Sequence, residues 1–280
     1  MKTIKTKLAA LAIVLAGLCA ASPALAGKGG NASKIRSAVA SRSVDAIVAE
    51  VERAEGLICD ECIQVVTDLT EDERYAVREV AAWWFAKRPA TARLLADGFI
   101  VELESGGSVA VRNAADFLGA TITYRSLPAL RTAITRTDLG TDARLALVRA
   151  VKVMGHRDGN FVLLTAMGDP DATVRAAAIN AWRDIRGQLS ASPVVAALAD
   201  PDATVRAEAA TVVGAMRDVT ARAMLETLVA TDASPFVRRN AAWALGRLGQ
   251  GASRDVLAKA TTDTSGLVRL TAKASLAQLR

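Results

Sequence analysis

The chain has 280 residues, 51% of them apolar and 23% charged, which excludes disorder and collagen-like structure. Aromatic residues make up only 4%, so Ala, Leu and Val must build the core, as in closely packed helices. The single histidine excludes most His-dependent catalytic and metal sites.

Residues 1–26 read as a Sec-type export signal. Lys2, Lys5 and Lys7 precede an apolar run from Leu8 to Ala21, and Ala24-Leu25-Ala26 forms a small-x-small cleavage site. The run is shorter than the roughly 20 residues that a spanning helix needs. Leu18 before Cys19 does not fit a lipid-attachment signal. The mature chain is therefore expected to begin at Gly27 and to work outside the cytoplasm, periplasmic or secreted, of a bacterial cell. Cleavage removes three lysines and no acid, so the net charge of +6 becomes +3. With Arg and Asp alternating and no basic stripe, nucleic acid is not an expected partner.

Residues 27–56 are expected to be a linker with capping helices. Next comes Gly56-Leu-Ile-Cys59-Asp-Glu-Cys62, at the start of a predicted helix running to about Leu69. No His follows Cys62, which excludes the usual haem attachment. A first-turn Cys gains thiolate character from the helix N-terminus. Cys59 and Cys62 can therefore form a structural disulfide, act as a redox pair, or stay unpaired or metal-binding. The oxidising compartment favours the structural bond.

From residue 57 to 280 one unit recurs. Asp169–Arg175 and Asp200–Arg206 are identical over seven residues. Alignment on the final Arg finds copies at Arg78, Arg144, Arg175, Arg206, Arg238 and Arg269, and one more at Val111 or Arg112. The spacings, taking Val111, run from 31 to 33 residues. Six residues before the anchor stand Asp72, Asp138, Asp169, Asp200, Asp232 and Asp263. Four before it stand cap-forming residues such as Asp171, Asp202, Ser234 and Ser265, with Ser108 the cap if Arg112 is the anchor. Three after it comes Ala in every copy but the third, which has Leu147. Seven after it comes Phe85, Leu118, Val151, Trp182, Val213, Leu245 or Leu276. Those offsets share one helical stripe. Shorter apolar segments between the copies add a second helix, with Asn160, Ser192 and Thr220 as plausible caps. Such a pair cannot bury its apolar face alone, so neighbouring pairs must stack.

The unit resembles the HEAT-repeat superfamily, in particular the PBS-lyase-type HEAT-like repeat, whose pattern Asp-Pro-Asp-x-x-Val-Arg-x-x-Ala-Ala-x-Ala-Leu-Gly is followed for the most part by Asp200–Gly214 and, with Ser-Pro in the cap, by Asp232–Gly246, which keeps Val237-Arg238, Ala241-Ala242 and Leu245-Gly246. The resemblance implies an all-α fold, an α-solenoid or superhelix of about seven two-helix repeats, and a role as an interaction scaffold. Relatives of the deoxyhypusine hydroxylase type carry several His-Glu pairs, which this chain lacks, and the export signal argues against a bilin-lyase task.

The Asp and Arg columns read as a structural ladder, each Asp and the Arg of its turn satisfying one another. The tryptophans read first as packing, but Trp83 and Trp84 are adjacent, so one of them should be partly exposed and mark a contact surface. Arg239 and Arg247, on the second helix of the sixth copy, are further candidates. No Walker loop or Gly-x-Ser-x-Gly elbow occurs, and His156 in its polar turn reads as a surface residue. The expected function is presentation of a surface, lined by the second helix of each unit, to a protein partner, without catalytic residue, metal or cofactor. A thiol–disulfide role for Cys59 and Cys62, or descent from a HEAT-like enzyme that has lost its metal ligands, is the alternative.

Overall fold

The structure, a computed structural model, describes residues 31–56 and 59–279. The segment expected to be an export signal, residues 1–26, lies outside the described residues. Among those described there are sixteen α-helices and no strand. None of these helices is long and apolar enough to cross a membrane. The chain divides into two compact units, Met1–Ala146 and Leu147–Arg280, and the division falls inside helix α8 (Thr141–Met154).

The first unit runs through α1 (Ala32–Ser41), α2 (Val44–Arg53), α3 (Asp60–Leu69), α4 (Tyr75–Ala86), α5 (Pro89–Ser105), α6 (Ser108–Ala120) and α7 (Leu127–Ala133) to the start of α8. Helices pair in sequence, α1 with α2, α3 with α4 and α5 with α6. Second helices then stack on second helices, α2 on α4 and α4 on α6, and first helices on first, α1 on α3 and α5 on α7. The N-terminal pair follows the same rule. Ile47, fully buried, stands 31 residues before Arg78, but neither an anchor Arg nor a turn Asp marks this pair in the sequence.

The second unit continues with α9 (Asn160–Ala166), α10 (Ala172–Trp182), α11 (Ser192–Val195), α12 (Ala203–Met216), α13 (Arg222–Thr231), α14 (Pro235–Leu248), α15 (Arg254–Ala260) and α16 (Gly266–Leu276). Here α10, α12, α14 and α16 form the stack of second helices. Each begins where the pattern predicts. Asp171 and Asp202 accept the N–H groups of Thr173 and Thr204, both at 2.8 Å, and Pro235 takes the first position of α14, where no N–H is needed.

The N-cap of every second helix with a defined cap in the repeats lies four residues before the anchor: Arg74, Gly107, Asp171, Asp202, Ser234 and Ser265. Gly107 fixes the second copy on Val111, so Ser108 is the first residue of α6 rather than its cap. The first helices are capped differently from the expectation. Short 3-10 turns precede α9 and α13, and the accepting side chains are His156 and Asp218 rather than Asn160 and Thr220. Ser192 likewise opens α11 instead of capping it.

The core follows the columns. The small residues three after the anchor (Ala81, Ala114, Ala178, Ala209, Ala241, Ala272) and Leu147 are fully buried. The large ones seven after it are buried too, except the half-buried Leu276. Approach is closest one position further on. A Cβ on Gly214 would lie 2.7 Å from the Cα of Ala244, and one on Gly246 would lie 2.9 Å from that of Ser275. The glycine that closes the repeat pattern is therefore a contact point between neighbouring second helices.

Candidate functional site

The anchor column comes first because its charges are the most regular feature of the chain. In the second unit Arg175 donates through Nη1 to the carbonyls of its own turn, Asp169 and Pro170, at 2.9 and 3.1 Å. Its Nε and Nη2 then hold both carboxylate oxygens of Asp200, in the next repeat, at 2.8 Å each. Arg206 does the same to Asp232, and Arg238 to Asp263. Each of these aspartates also accepts the backbone N–H two residues on. The ladder therefore closes between repeats, whereas the sequence reading paired each Arg with the Asp of its own turn.

The electrostatics agree. The hydrogen-bonded guanidinium of Arg175 holds the Asp200 carboxyl below its usual range, and that of Arg238 does so for Asp263. Burial alone would raise Asp232, but the bonds from Arg206 and Ser234 outweigh it and the net shift is downward. The three arginines are shifted upward by the same bonds. Asp169 is buried and accepts the N–H of Asp171, and Arg269 bonds the carbonyls of Asp263 and Thr264.

In the first unit the ladder is rewired. Ser105 stands where the second copy should carry its turn Asp, and Val111 stands where it should carry its Arg. Arg78, only 3% exposed, turns to Asp116 on α6 at 2.8 and 3.0 Å, while Nη1 keeps the own-turn carbonyls of Asp72 and Glu73. Asp72 is held by Arg74, and Asp138, with Val111 in place of its anchor Arg, by Arg136. Both carboxyls are lowered by those hydrogen bonds. Arg144 donates to the Leu139 carbonyl of its own turn. Sequence reading missed Asp116. The signal for it was the missing acid at position 105, which left Arg78 without a rung.

Trp84 is fully buried. Its indole N–H donates to the Ala54 carbonyl at 3.1 Å, and Arg88 stacks 3.4 Å over its ring. It belongs to the core, and its candidacy as a surface residue falls because its side of α4 faces α2. Trp83 is half-buried, with the Lys87 ammonium 5.4 Å from its ring centre. The second unit repeats this arrangement. Trp243 is half-buried with Arg247 at 6.0 Å, although the sequence reading treated it as core. Both tryptophans stand five residues after their anchor and both cations nine after. That shared offset was legible in the sequence and was missed.

Around Trp243 the second-helix face is a strip of fixed polar groups. Arg239 grips the Asn240 carbonyl oxygen at 2.7 and 2.9 Å, and the Asn240 amide reaches back to Ala207 and Thr211 on α12. Glu208, Thr211, Arg239, Asn240, Trp243 and Thr271 enclose a groove of about 360 Å³. Further along the same stack, Lys152 holds Asn180 at 2.9 Å, which in turn donates to Glu208 at 3.1 Å. Thus Arg239 and Arg247 lie beside one half-exposed indole, while Trp83 occupies the same repeat position in the other unit.

Cys59 is the N-cap of α3, and its sulfur accepts the Cys62 N–H. The two sulfurs lie 2.14 Å apart, within bonding distance, and Cys62 is fully buried. Asp60 and Glu61 fill the first turn between them. His156 accepts the Asp158 N–H at 3.3 Å and is half-exposed. Among the described residues no three His, Cys, Asp or Glu side chains come together as a metal site.

A family model described as HEAT repeats matches residues 191–277. Escherichia coli YibA matches 88% of this chain over 92% of its own length, at 16% identity and a TM-score of 0.58. The chain carries HEAT repeats over residues 191–277. Its fold is the all-α solenoid class. Human deoxyhypusine hydroxylase (17% identity, 88% of this chain, 96% of its own) and the CpcE–CpcF complex of phycocyanin lyase from Nostoc sp. PCC7120 (18%, 78% and 94%) match at TM-scores of 0.39 and 0.42, too low to extend the likeness. No curated protein sequence matches the chain. The stretch matched by the family model lies within the unit with the regular ladder.

Proposed function

We propose that this HEAT-like repeat protein is an exported, non-enzymatic scaffold that binds another protein through the faces of its second helices. The observation that carries the reading is the recurrence of a half-exposed indole beside a cation at one repeat position, Trp83 with Lys87 and Trp243 with Arg247. Tryptophan and arginine are the side chains that most often dominate binding energy at protein interfaces. The ladder charges, by contrast, are consumed in holding repeats together. The basic, apolar N-terminal segment and the bonded geometry of Cys59 and Cys62 support export to an oxidising compartment. The capping role of residues 27–56, and the repeat domain from 57 onward, belong to this proposal.

The test is a pull-down of the mature chain against periplasmic extract, comparing wild type with Trp83→Ala/Trp243→Ala. Loss of one specific protein from the double variant, with its thermal melt unchanged, is the expected result. A partner kept by the double variant would refute the assignment of these faces.

A second reading, thiol–disulfide exchange, is favoured by Cys59 lying half-exposed at a helix N-cap in CxxC spacing. A reduction potential near about −270 mV would support it, and one below roughly −300 mV marks a structural bond.

A further inference from the structure

Between the end of α5 and the start of α6, within the first unit, lies a cavity of about 590 Å³, the size range of sites that enclose a small ligand group. Phe99, Val101 and Val109 give it apolar walls, and Glu71 stands at its edge. Glu102 lines it from α5. That residue is only 9% exposed, and its carboxylate has neither hydrogen-bond nor ion-pair partner among the described residues. Every turn Asp of the intact rungs shows how this chain otherwise treats such a group, with two nitrogens of an arginine on it.

The surroundings keep Glu102 open rather than satisfying it. A Cβ on Gly106 would meet the Glu102 Oε2 at 2.7 Å and the Ala110 Cβ at 2.9 Å, so the glycine leaves the carboxylate its room. Asn113, 5% exposed, also lines the cavity. Its oxygen is taken by the Arg112 guanidinium at 3.0 and 3.1 Å, but its amide nitrogen meets no acceptor among the described residues. The matching Asn240 in the second unit spends its amide on Ala207 and Thr211. The cavity thus offers one carboxylate for a cation and one amide donor for a carbonyl a short distance away, between apolar walls.

We infer that this cavity binds a basic side chain, lysine or arginine, of a polypeptide. The cationic end pairs with Glu102, the alkyl stem lies on Phe99 and Val109, and a backbone carbonyl of the same segment takes the Asn113 amide. Glu71 adds a second, solvent-exposed negative charge at the edge. This site is independent of the two tryptophan faces, and either can fail without the other.

The experiment is an NMR titration of the mature chain with N-acetyl-arginine amide and N-acetyl-lysine amide, alongside N-acetyl-norleucine amide as a neutral control and putrescine as a free amine. Saturable shifts confined to residues 99–113 with the capped basic residues, and none with norleucine, are expected. Glu102→Gln should weaken binding at least about tenfold with an unchanged melt, and Glu71→Gln about two- to threefold. Val109→Lys, at an exposed position on the wall, should abolish binding without touching Glu102 and serves if Glu102→Gln does not fold. No saturable shift, equal affinity for norleucine, or full affinity in Val109→Lys would overturn the inference. Binding of putrescine while the capped residues fail would also overturn it, assigning the cavity to a free amine.

Discussion

Arg175, Arg206 and Arg238 each reach forward to the aspartate of the following repeat in the same geometry. Before Ala146 the corresponding Arg78 finds no such aspartate and turns instead to Asp116, with side chains only 3–4% exposed. The same comparison runs through the backbone. Eleven residues after the anchor the chain is left-handed at Gly155 and Gly249, where glycine bears it without strain, but also at Arg217 and at Ile122 with φ 50°. The second unit keeps most of the repeat pattern, while the first departs from it. It is the first unit that holds the Cys59–Cys62 pair, the rewired ion pair and the cavity with an unpaired carboxylate. Regular columns are committed to stacking, and positions released from them are available for other chemistry.

The largest difference should appear on breaking the two kinds of rung. Asp116→Ala strands a buried guanidinium and should cost about 3–5 kcal/mol. Asp232→Ala opens a rung with more water access and should cost about 1.5–3 kcal/mol. Urea unfolding checks both, and equal costs would erase the distinction between the units. Gly214→Ala forces a methyl against the backbone of Ala244 and should cost about 1–3 kcal/mol, read by the same method.

Acid tests the rungs as a set. The carboxyls of Asp200, Asp232 and Asp263 titrate lower in the folded chain than in the unfolded one. Their contribution is therefore whole above the ordinary carboxylate value near about 4, and is lost as pH falls through that value toward their lowered ones. Melting temperatures should drop more steeply below about pH 4 in wild type than in Asp232→Asn.

Smaller effects follow. Cys59→Ser opens a very short ring and should cost at most about 1–2 kcal/mol. Hydrogen exchange should quicken mainly in α1 and α3. Ile122→Gly should instead stabilise by about 1 kcal/mol, because the residue is exposed and its left-handed backbone is the strained element. A loss of stability there would show that its side chain matters more than its backbone.

The repeat, its register and its core columns were legible because stacking constrains them at a fixed period. Ala178 and Leu245 are buried where the offsets put them. What the sequence concealed are pairings across the period. That Arg206 holds the carboxylate of Asp232 rather than that of Asp200 depends on how far a side chain reaches from one second helix to the next turn, which spacing alone does not encode. Asp116 was hidden because nothing resembles it in the other copies. Capping helices were expected before residue 57, but that α1 and α2 stack as a further repeat-like pair was hidden because Ile47 stands at the anchor position. Glu102 lay outside every column, and only the cavity around it distinguishes it from a surface acid.

The pairing of each arginine with the next repeat's aspartate is tested most directly by a double-mutant cycle in urea, with Arg206→Met and Asp232→Ala singly and together. A coupling energy of about 1.5–3 kcal/mol between these residues is expected. Little coupling is expected between Arg206 and the own-turn Asp200, whose carboxylate the arginine does not touch. A coupling near zero for Arg206 with Asp232, or a larger one with Asp200, would contradict the pairing.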